Sequence, residues 1–214
     1  TIPHEYFQSK FHEDPEIFER EFGAKFTSRS ESWIDRESDL TVCIPEDIKP
    51  ETRGKAKEKH YLGLDLAVKD DMTAAVLTKP VGQEKIQMVY HELWQAGSDW
   101  EELNPHLSEP IIEYPKTMKM EDALDFDRIA DWIEELSNRF YIEEGLFDRW
   151  NGQAFKQKVD KRGLSCLEMK KFSRNDQSQM YKAFQQLMLH ESVLLYDHIE
   201  EGRDVPSEHS PYIN

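Results

Sequence analysis

The stretch YLGLDLAVKDDMTAAVLTK, residues 61–79, contains two apolar segments separated by a short polar turn. In its first half, leucines alternate with other residues, which is the period-2 pattern of a half-buried β-strand. Asp65 falls inside this strand, although acids are depleted in strands and an unpaired charge is costly to remove from water. Some other group must therefore compensate the charge of Asp65.

Length, charge and cysteine content limit the possible classes of protein. The 214 residues suffice for one domain with its own core plus a shorter segment, and we expect a fragment of a longer protein. The net charge of -16 opposes binding to polyanions, so contact with nucleic acid would need basic patches or metal ions. Two cysteines are too few for a disulfide framework. No apolar run approaches the length of a membrane span, which predicts a soluble, cytoplasmic protein.

The chain divides into an N-terminal segment and a domain. Residues 12–24 read as a short helix, with Pro15 in its first turn and Gly23 near its end. Residues 45–60 are polar, contain two prolines and end in a basic cluster, which predicts a linker. We therefore predict a helical segment and linker over residues 1–60 and a domain over residues 61–214.

Within residues 61–214, the patterns predict an α/β fold. Strands are predicted at 61–67, 72–79, 84–94, 144–148, 164–169 and 192–196, and helices at 126–140, 152–162 and 175–190. Short turns make the first three strands antiparallel neighbours. The later alternation of helix and strand, with right-handed crossovers, places the later strands parallel to the first. The expected architecture is a mixed sheet flanked by helices.

This order of elements is that of the ribonuclease H-like fold, in which the first and fourth strands are neighbours. Asp65 lies in the first strand and Asp148 ends the fourth. Neighbouring strands are about 4.8 Å apart, so both carboxylates could reach one cation. Two divalent ions about 3.5–4 Å apart can act on a phosphodiester, and hard oxygen ligands suit Mg²⁺ or Mn²⁺. A metal site would explain the position of Asp65.

Each acid also has an ordinary structural interpretation. Asp65 could pair with a buried Lys or Arg, and Asp148 could cap the following helix or form an Asx-turn. Asp71 follows Lys69 and Asp70 in a typical turn sequence. The two strand acids in matching positions together favour the metal site.

Several segments of the chain resemble the nuclease domain of viral large terminases. GLDLAVKDDMTAAVL (63–77) resembles the first acidic motif, with Asp65, Asp71 and Thr73. LFDRWNGQAFKQKVDKRGL (146–164) resembles the second, with Asp148, Trp150 and Gly152. KKFSRNDQSQMYKAFQQLMLHESVLLY (170–196) is similar to the next loop, helix and strand, and EIFEREFGAKF (16–26) to the segment that joins the ATPase to the nuclease.

The resemblance implies a metal-dependent endonuclease of phage DNA packaging with a two-metal site. Asp65, Asp148 and Asp71 would be its catalytic residues and ligands of Mg²⁺ or Mn²⁺. Its implied partners are double-stranded DNA, the terminase ATPase domain, the small subunit and the portal, in the host cytoplasm and without a membrane. Two departures are clear: no phosphate-binding loop is present, and the third acidic motif has no match before Asn214. We therefore expect the nuclease domain to be incomplete at its C-terminal end.

Three basic stretches are candidates for contact with DNA: 53–59, 156–162 and 170–174. On so acidic a chain, such stretches are commonly solvated faces. The third follows the strand after Asp148 and should lie at the same sheet edge. Lys170, Lys171 and Arg174 are therefore the predicted phosphate contacts.

Two other functions fit the residues. The chain could be another ribonuclease H-like nuclease, such as a junction resolvase, although the segment before the linker argues against it. It could also be a catalytically silent module that binds a partner ATPase or portal. The net charge of -16 and the missing third acid favour this second alternative.

Overall fold

The computed structural model describes residues 40–67, 71–95, 97–108, 110–112, 125–149 and 152–196, and these contain one six-stranded sheet and four helices. The strands are β1 (Lys59–Asp65), β2 (Thr73–Val81), β3 (Lys85–Trp94), β4 (Tyr141–Asp148), β5 (Leu167–Lys170) and β6 (Val193–Leu194). The helices are α1 (Trp100–Leu103), α2 (Phe126–Arg139), α3 (Gly152–Lys161) and α4 (Arg174–Leu189). None of the described helices is long and apolar enough to cross a membrane.

The sheet is mixed and has the strand order β5-β4-β1-β2-β3-β6. β1, β2 and β3 pair antiparallel, whereas β4 pairs parallel with β1 and β5 pairs parallel with β4. β6 pairs parallel with β3 at the opposite edge. The predicted fold class is confirmed, including the central position of the first strand beside the fourth.

The hydrophobic core lies between one face of the sheet and helices α2 and α3. Leu62 and Leu64 of β1 point into it, as their alternation predicts. α2 begins at the N-cap Asp125 and buries one apolar face, which includes Trp132. The other core residues of the two helices are Ile129, Ala130, Ile133, Leu136, Phe155 and Val159.

The charge of Asp65 is not buried, contrary to what its position inside an apolar strand suggests. Asp65 does not point into the core, because it lies on the opposite face from Leu64 and is exposed. Its position in the strand is therefore less costly than that of a fully buried charge. What remains to be explained is why two acids end adjacent strands on the same face.

Several predicted boundaries differ from the observed ones. β4 begins at residue 141 rather than 144. β5 begins at residue 167 rather than 164, because the Leu167 N–H donates to the Leu164 carbonyl in a turn (3.2 Å). β6 is reduced to two residues, and α1 lies in a region predicted to be irregular. The apolar side chains of α4 are only partly covered: Met188 is buried, whereas Met180 is 54% exposed.

The residues ahead of β1, 40–58, are attached to the sheet, and we call them the anchored segment. The Glu51 N–H donates to the Val89 carbonyl of β3 (2.9 Å), and the Gly54 N–H to the Arg139 carbonyl at the end of α2 (3.1 Å). A β-carbon at Gly54 would lie 2.8 Å from the His60 ring, so only glycine allows this close approach. The predicted helix at 12–24 lies outside the described residues, and the domain boundary after residue 60 stays a prediction.

Candidate active site

Two aspartates end two neighbouring parallel strands on the same face of the sheet. Asp65 is the last residue of β1, and Asp148 is the last residue of β4. The register between these strands pairs Leu64 with Phe147, one residue before the two acids. Both of those residues are buried, and side chains alternate along a strand, so the two acids project from the other face. Neighbouring strands are about 4.8 Å apart, which makes the two acids adjacent.

The electrostatics of Asp65 reflect this crowding. Partial loss of hydration raises the pKa of its carboxyl group most, and the negative charges of Asp148 and Asp71 raise it further. Among the described residues, no Lys or Arg forms an ion pair with Asp65. The proposed alternative of a buried basic partner is therefore not found in the part of the chain that the structure describes.

Asp71 lies in the connection between β1 and β2, two residues before β2 begins. Its side chain is exposed, and its charge contributes to the raised pKa of Asp65. Thr73 closes this connection through hydrogen bonds to the backbone of Ala67. Asp71 thus belongs to the same electrostatic neighbourhood as the two strand acids, although its turn sequence would be compatible with a structural role.

The backbone that follows Asp148 is tied to the neighbouring strand. The Arg149 N–H donates to the Lys170 carbonyl (2.9 Å), and the Gly152 N–H donates to the Arg149 carbonyl (3.0 Å). A β-carbon at Gly152 would meet the Phe147 ring at 3.0 Å, so glycine lets α3 begin close to the end of β4. These contacts fix the backbone around Asp148. Residues 150 and 151 lie outside the described residues, and the capping role considered for Asp148 is not tested.

The acids fit a divalent cation by their chemistry and position. Carboxylate oxygens are hard ligands of the kind that Mg²⁺ and Mn²⁺ prefer, and a cation would relieve the mutual repulsion that raises the pKa of Asp65. Within the described ranges, no group of three or more His, Cys, Asp or Glu side chains is arranged to hold a metal ion. The described residues therefore supply two adjacent carboxylates and a third acid whose charge influences Asp65. The assignment of Asp65, Asp148 and Asp71 as metal ligands stays a prediction.

The predicted phosphate contacts lie at the same edge of the sheet. Lys170 ends β5 and pairs with Asp148 across the strands, while Lys171 and Arg174 are exposed in the connection to α4 and in its first turn. The Lys170 ammonium lies 5.9 Å from the centre of the Phe172 ring. The structure thus pairs Lys170 with Asp148 and places Lys171 and Arg174 in the stretch of chain that follows β5, and the role of all three in binding DNA stays a prediction.

Glu92 is a fully buried acid in β3 that the sequence patterns did not single out. Its carboxylate accepts hydrogen bonds from the Trp100 indole (2.7 Å), the Trp132 indole (2.5 Å) and the Tyr90 hydroxyl (3.0 Å). An acid inside the apolar strand VYHELW, with tryptophans nearby in the sequence, was the available indication. Glu92 serves the packing of the domain.

A family model described as the terminase large subunit, endonuclease domain, matches residues 13–198 of the chain. The match covers most of the chain and includes both strand acids, the connection with Asp71 and the cations after β5. No curated protein sequence matches the chain significantly.

Solved structures with a similar fold come from phage terminases. The large terminase of bacteriophage HK97 is 22% identical, with a TM-score of 0.57, and the alignment covers 78% of this chain and 34% of that one. The chain thus spans about a third of that protein's length. The large terminase nuclease of thermophilic phage G20c is 14% identical, with a TM-score of 0.50 and coverage of 74% and 73%. A second structure of that nuclease, with bound magnesium, gives 14% identity, a TM-score of 0.51 and coverage of 74% and 72%. At these identities, the similarity shows the fold.

Proposed function

The chain belongs to the family of terminase large subunit endonuclease domains, and from that premise we propose that it cuts double-stranded DNA by divalent-metal-dependent hydrolysis. The observation that carries this proposal is the pair of aspartates that end β1 and β4 side by side. Two adjacent carboxylates at the ends of neighbouring strands are suited to a divalent cation, which prefers hard oxygen ligands.

Asp65 and Asp148 would hold the cations, and Asp71 would assist directly or through water. Bound Mg²⁺ or Mn²⁺ would lower the pKa of the attacking water and stabilise the charge that develops on the phosphodiester. The protein's own contribution is position, because β1 and β4 hold the acids on a hydrogen-bonded sheet. The magnesium-bound nuclease of phage G20c, which shares the fold, supports the choice of metal.

Lys170, Lys171 and Arg174 would contact the DNA backbone beside the acids. Lys170 ends β5 and pairs with Asp148 across the strands, Lys171 follows it, and Arg174 begins α4. Phosphate contacts of this kind hold the duplex in place without reading its sequence.

The family context suggests the wider assembly. We propose that residues 1–60 join the domain to a terminase ATPase, with the nuclease domain beginning at residue 61. The small subunit and the portal would be the further partners, and the host cytoplasm would be the place of action. A catalytically silent docking module is the second candidate, since no three-ligand group occurs among the described residues and the net charge is -16.

Nicking of supercoiled plasmid separates the two candidates. We expect the wild type to nick DNA with Mn²⁺ and not with EDTA. Asp65→Asn and Asp148→Asn should each reduce the rate at least about 100-fold, comparable to the loss of one charge-stabilising group from other active sites. Mn²⁺ should also raise the melting temperature of the wild type by about 2–5 °C, and by less in either variant.

Glu144→Gln is the matched control, because Glu144 is an exposed acid on β4 four residues before Asp148. This variant should nick DNA and respond to Mn²⁺ like the wild type. Nicking at the wild-type rate by Asp65→Asn would refute the proposed site. A wild type that neither nicks DNA nor responds to Mn²⁺ would support the silent module.

A further inference from the structure

Thr73 forms an unusual pair of contacts at the start of β2. Its side chain is fully buried, and its hydroxyl accepts a hydrogen bond from the Ala67 N–H (2.9 Å). The same hydroxyl donates to the Ala67 carbonyl (3.1 Å). The Thr73 side chain therefore satisfies both the N–H and the carbonyl of Ala67. In a regular sheet, the backbone of a residue in the neighbouring strand would make these two hydrogen bonds.

These two hydrogen bonds continue the β1–β2 pairing beyond its last backbone pair. The ladder ends where Asp65 pairs with Ala74. The Thr73 hydroxyl then links the chain two residues after Asp65 to the first residue of β2. The connection between the strands is thereby closed at its base by a side chain. A β-branched residue suits the strand position, and the hydroxyl supplies the donor and the acceptor.

Asp65 and Asp71 are both close along the chain to the hydrogen bonds between Thr73 and Ala67. Asp65 precedes Ala67 by two residues, and Asp71 precedes Thr73 by two residues. We propose that Thr73 is a positioning residue of the cation site, which fixes the separation of Asp65 and Asp71. This inference rests on the proposed function, because it assigns Thr73 a part in the affinity for the metal. A purely structural Thr73 would affect stability alone.

The test compares the affinity for Mn²⁺, measured by titration calorimetry, across three variants. Thr73→Val keeps the shape and removes the hydroxyl, whereas Thr73→Ser restores it. Supporting contacts of metal ligands are typically worth 10–100-fold in affinity, so Thr73→Val should bind Mn²⁺ at least about 10-fold more weakly. Thr73→Ser should stay within about threefold of the wild type.

Thr78→Val is the control. Thr78 lies on the same strand, and its hydroxyl donates to the Tyr61 carbonyl of β1 (3.3 Å), away from the acids. This variant loses a hydroxyl hydrogen bond from β2 to β1 and should bind Mn²⁺ like the wild type. Equal binding by Thr73→Val and Thr78→Val would overturn the inference. Failure of Thr73→Ser to restore binding would do the same.

Amide hydrogen exchange on the wild type keeps the test decisive if Thr73→Val does not fold. Because the closure and the cation site are coupled, Mn²⁺ should slow exchange of the Ala67 N–H more than exchange of the N–H groups at the opposite end of β1. An unchanged Ala67 rate at saturating Mn²⁺ would overturn the role of Thr73 and leave the proposed function standing. A wild type that binds no Mn²⁺ would refute the cation site and the role of Thr73 in it.

Discussion

Glu92 connects three elements of the domain through its carboxylate. Its hydrogen-bond partners belong to β3, α1 and α2, namely Tyr90, Trp100 and Trp132. Burial raises the pKa of Glu92 to about 7, and this effect outweighs the donors, which lower the pKa by favouring the ionised form. The group therefore changes its charge near neutral pH in the folded protein.

We predict that this acid makes stability depend on pH. The folded state binds the Glu92 proton more tightly than the unfolded chain does, so the free energy of unfolding should fall as pH rises from about 4.5 to about 7. Glu92→Gln cannot ionise, so its stability should lack this dependence on pH. The difference in the free energy of unfolding between the wild type and this variant, measured by urea unfolding at each pH, should change by up to about 3 kcal/mol between these two pH values. The variant should also be destabilised at pH 5 by about 1–3 kcal/mol, because its NH₂ group faces donors.

Glu168→Gln is the control, since Glu168 is an exposed acid on β5. Its stability should follow the wild-type profile. Parallel profiles for the wild type and Glu92→Gln would show that another group titrates in this range.

At the scale of single residues, the sequence indicates the role of a residue only when a nearby pattern or a predicted strand order places its partners. Asp65 stands out inside one strand, and the strand order then places it beside Asp148. Of the two tryptophans that donate to Glu92, Trp100 lies eight residues further along the chain, whereas Trp132 lies 40 residues further, so no short sequence window contains the second pair. The bonds of Thr73 to Ala67 are local, but a hydroxyl that pairs with backbone has no distinctive sequence pattern.

At the scale of elements, the anchored segment is held by a nearly buried lysine of β2. The Lys79 ammonium lies 2.6 Å from a Glu51 carboxylate oxygen and 3.3 Å from one of Glu58, and its side chain is only 7% exposed. Polar composition predicts a linker here. Composition cannot show that these acids meet Lys79, which lies 28 residues after Glu51.

We predict that Lys79→Ala destabilises the domain by about 2 kcal/mol, because it leaves two partly buried acids without their cation. Urea unfolding at pH 7 measures this loss. Limited proteolysis should in addition cut residues 45–58 faster than in the wild type.

Lys59→Ala supplies the comparison for this prediction. It removes an ion pair with Glu143 whose lysine side chain is 53% exposed, and such solvent-screened pairs contribute little to stability. Similar losses for Lys59→Ala and Lys79→Ala would mean that Lys79 does not anchor the segment.

The observed boundaries illustrate why elements are predicted better than their ends. The core face of β1 follows from alternation alone. In contrast, β4 extends back to residue 141 because it can pair with the start of β1, and β6 is short because only two of its residues pair with β3. Pairing partners distant in the sequence set these ends.

At the scale of the whole molecule, charge opposes the proposed substrate. The chain carries a net charge of -16, and DNA is a polyanion. Binding must therefore come from local cations, and the candidates are Lys170, which pairs with Asp148 across the strands, and Lys171 and Arg174, which follow it along the chain. Affinity that depends on a few phosphate contacts is sensitive to salt.

We predict that DNA binding is weak and that replacing these three cations with Ala lowers it further. Each phosphate contact contributes about -0.9 to the slope of log K against log salt, so the triple variant should flatten that slope by about 1–3. Fluorescence anisotropy over a range of salt concentrations measures both effects.

A second triple variant, Lys55, Lys57 and Lys59 to Ala, removes the same charge from the anchored segment and the first residue of β1. It should bind DNA more tightly than the first triple variant. If it loses more affinity instead, DNA does not cross the edge formed by β5 and α4.

The path from the anchored segment into β1 determines how the domain bears mechanical load. β1 is hydrogen-bonded on both sides, to β2 and to β4, and Asp65 stands at its far end. A pull on the chain ahead of residue 59 first meets the Lys79 anchors and then acts along the strand axis. Both ladders are then loaded in shear, so their hydrogen bonds resist together rather than opening one after another. We therefore expect the two ladders of β1 to bear tension applied from the N-terminal side, so that little of it acts on the carboxylate of Asp65.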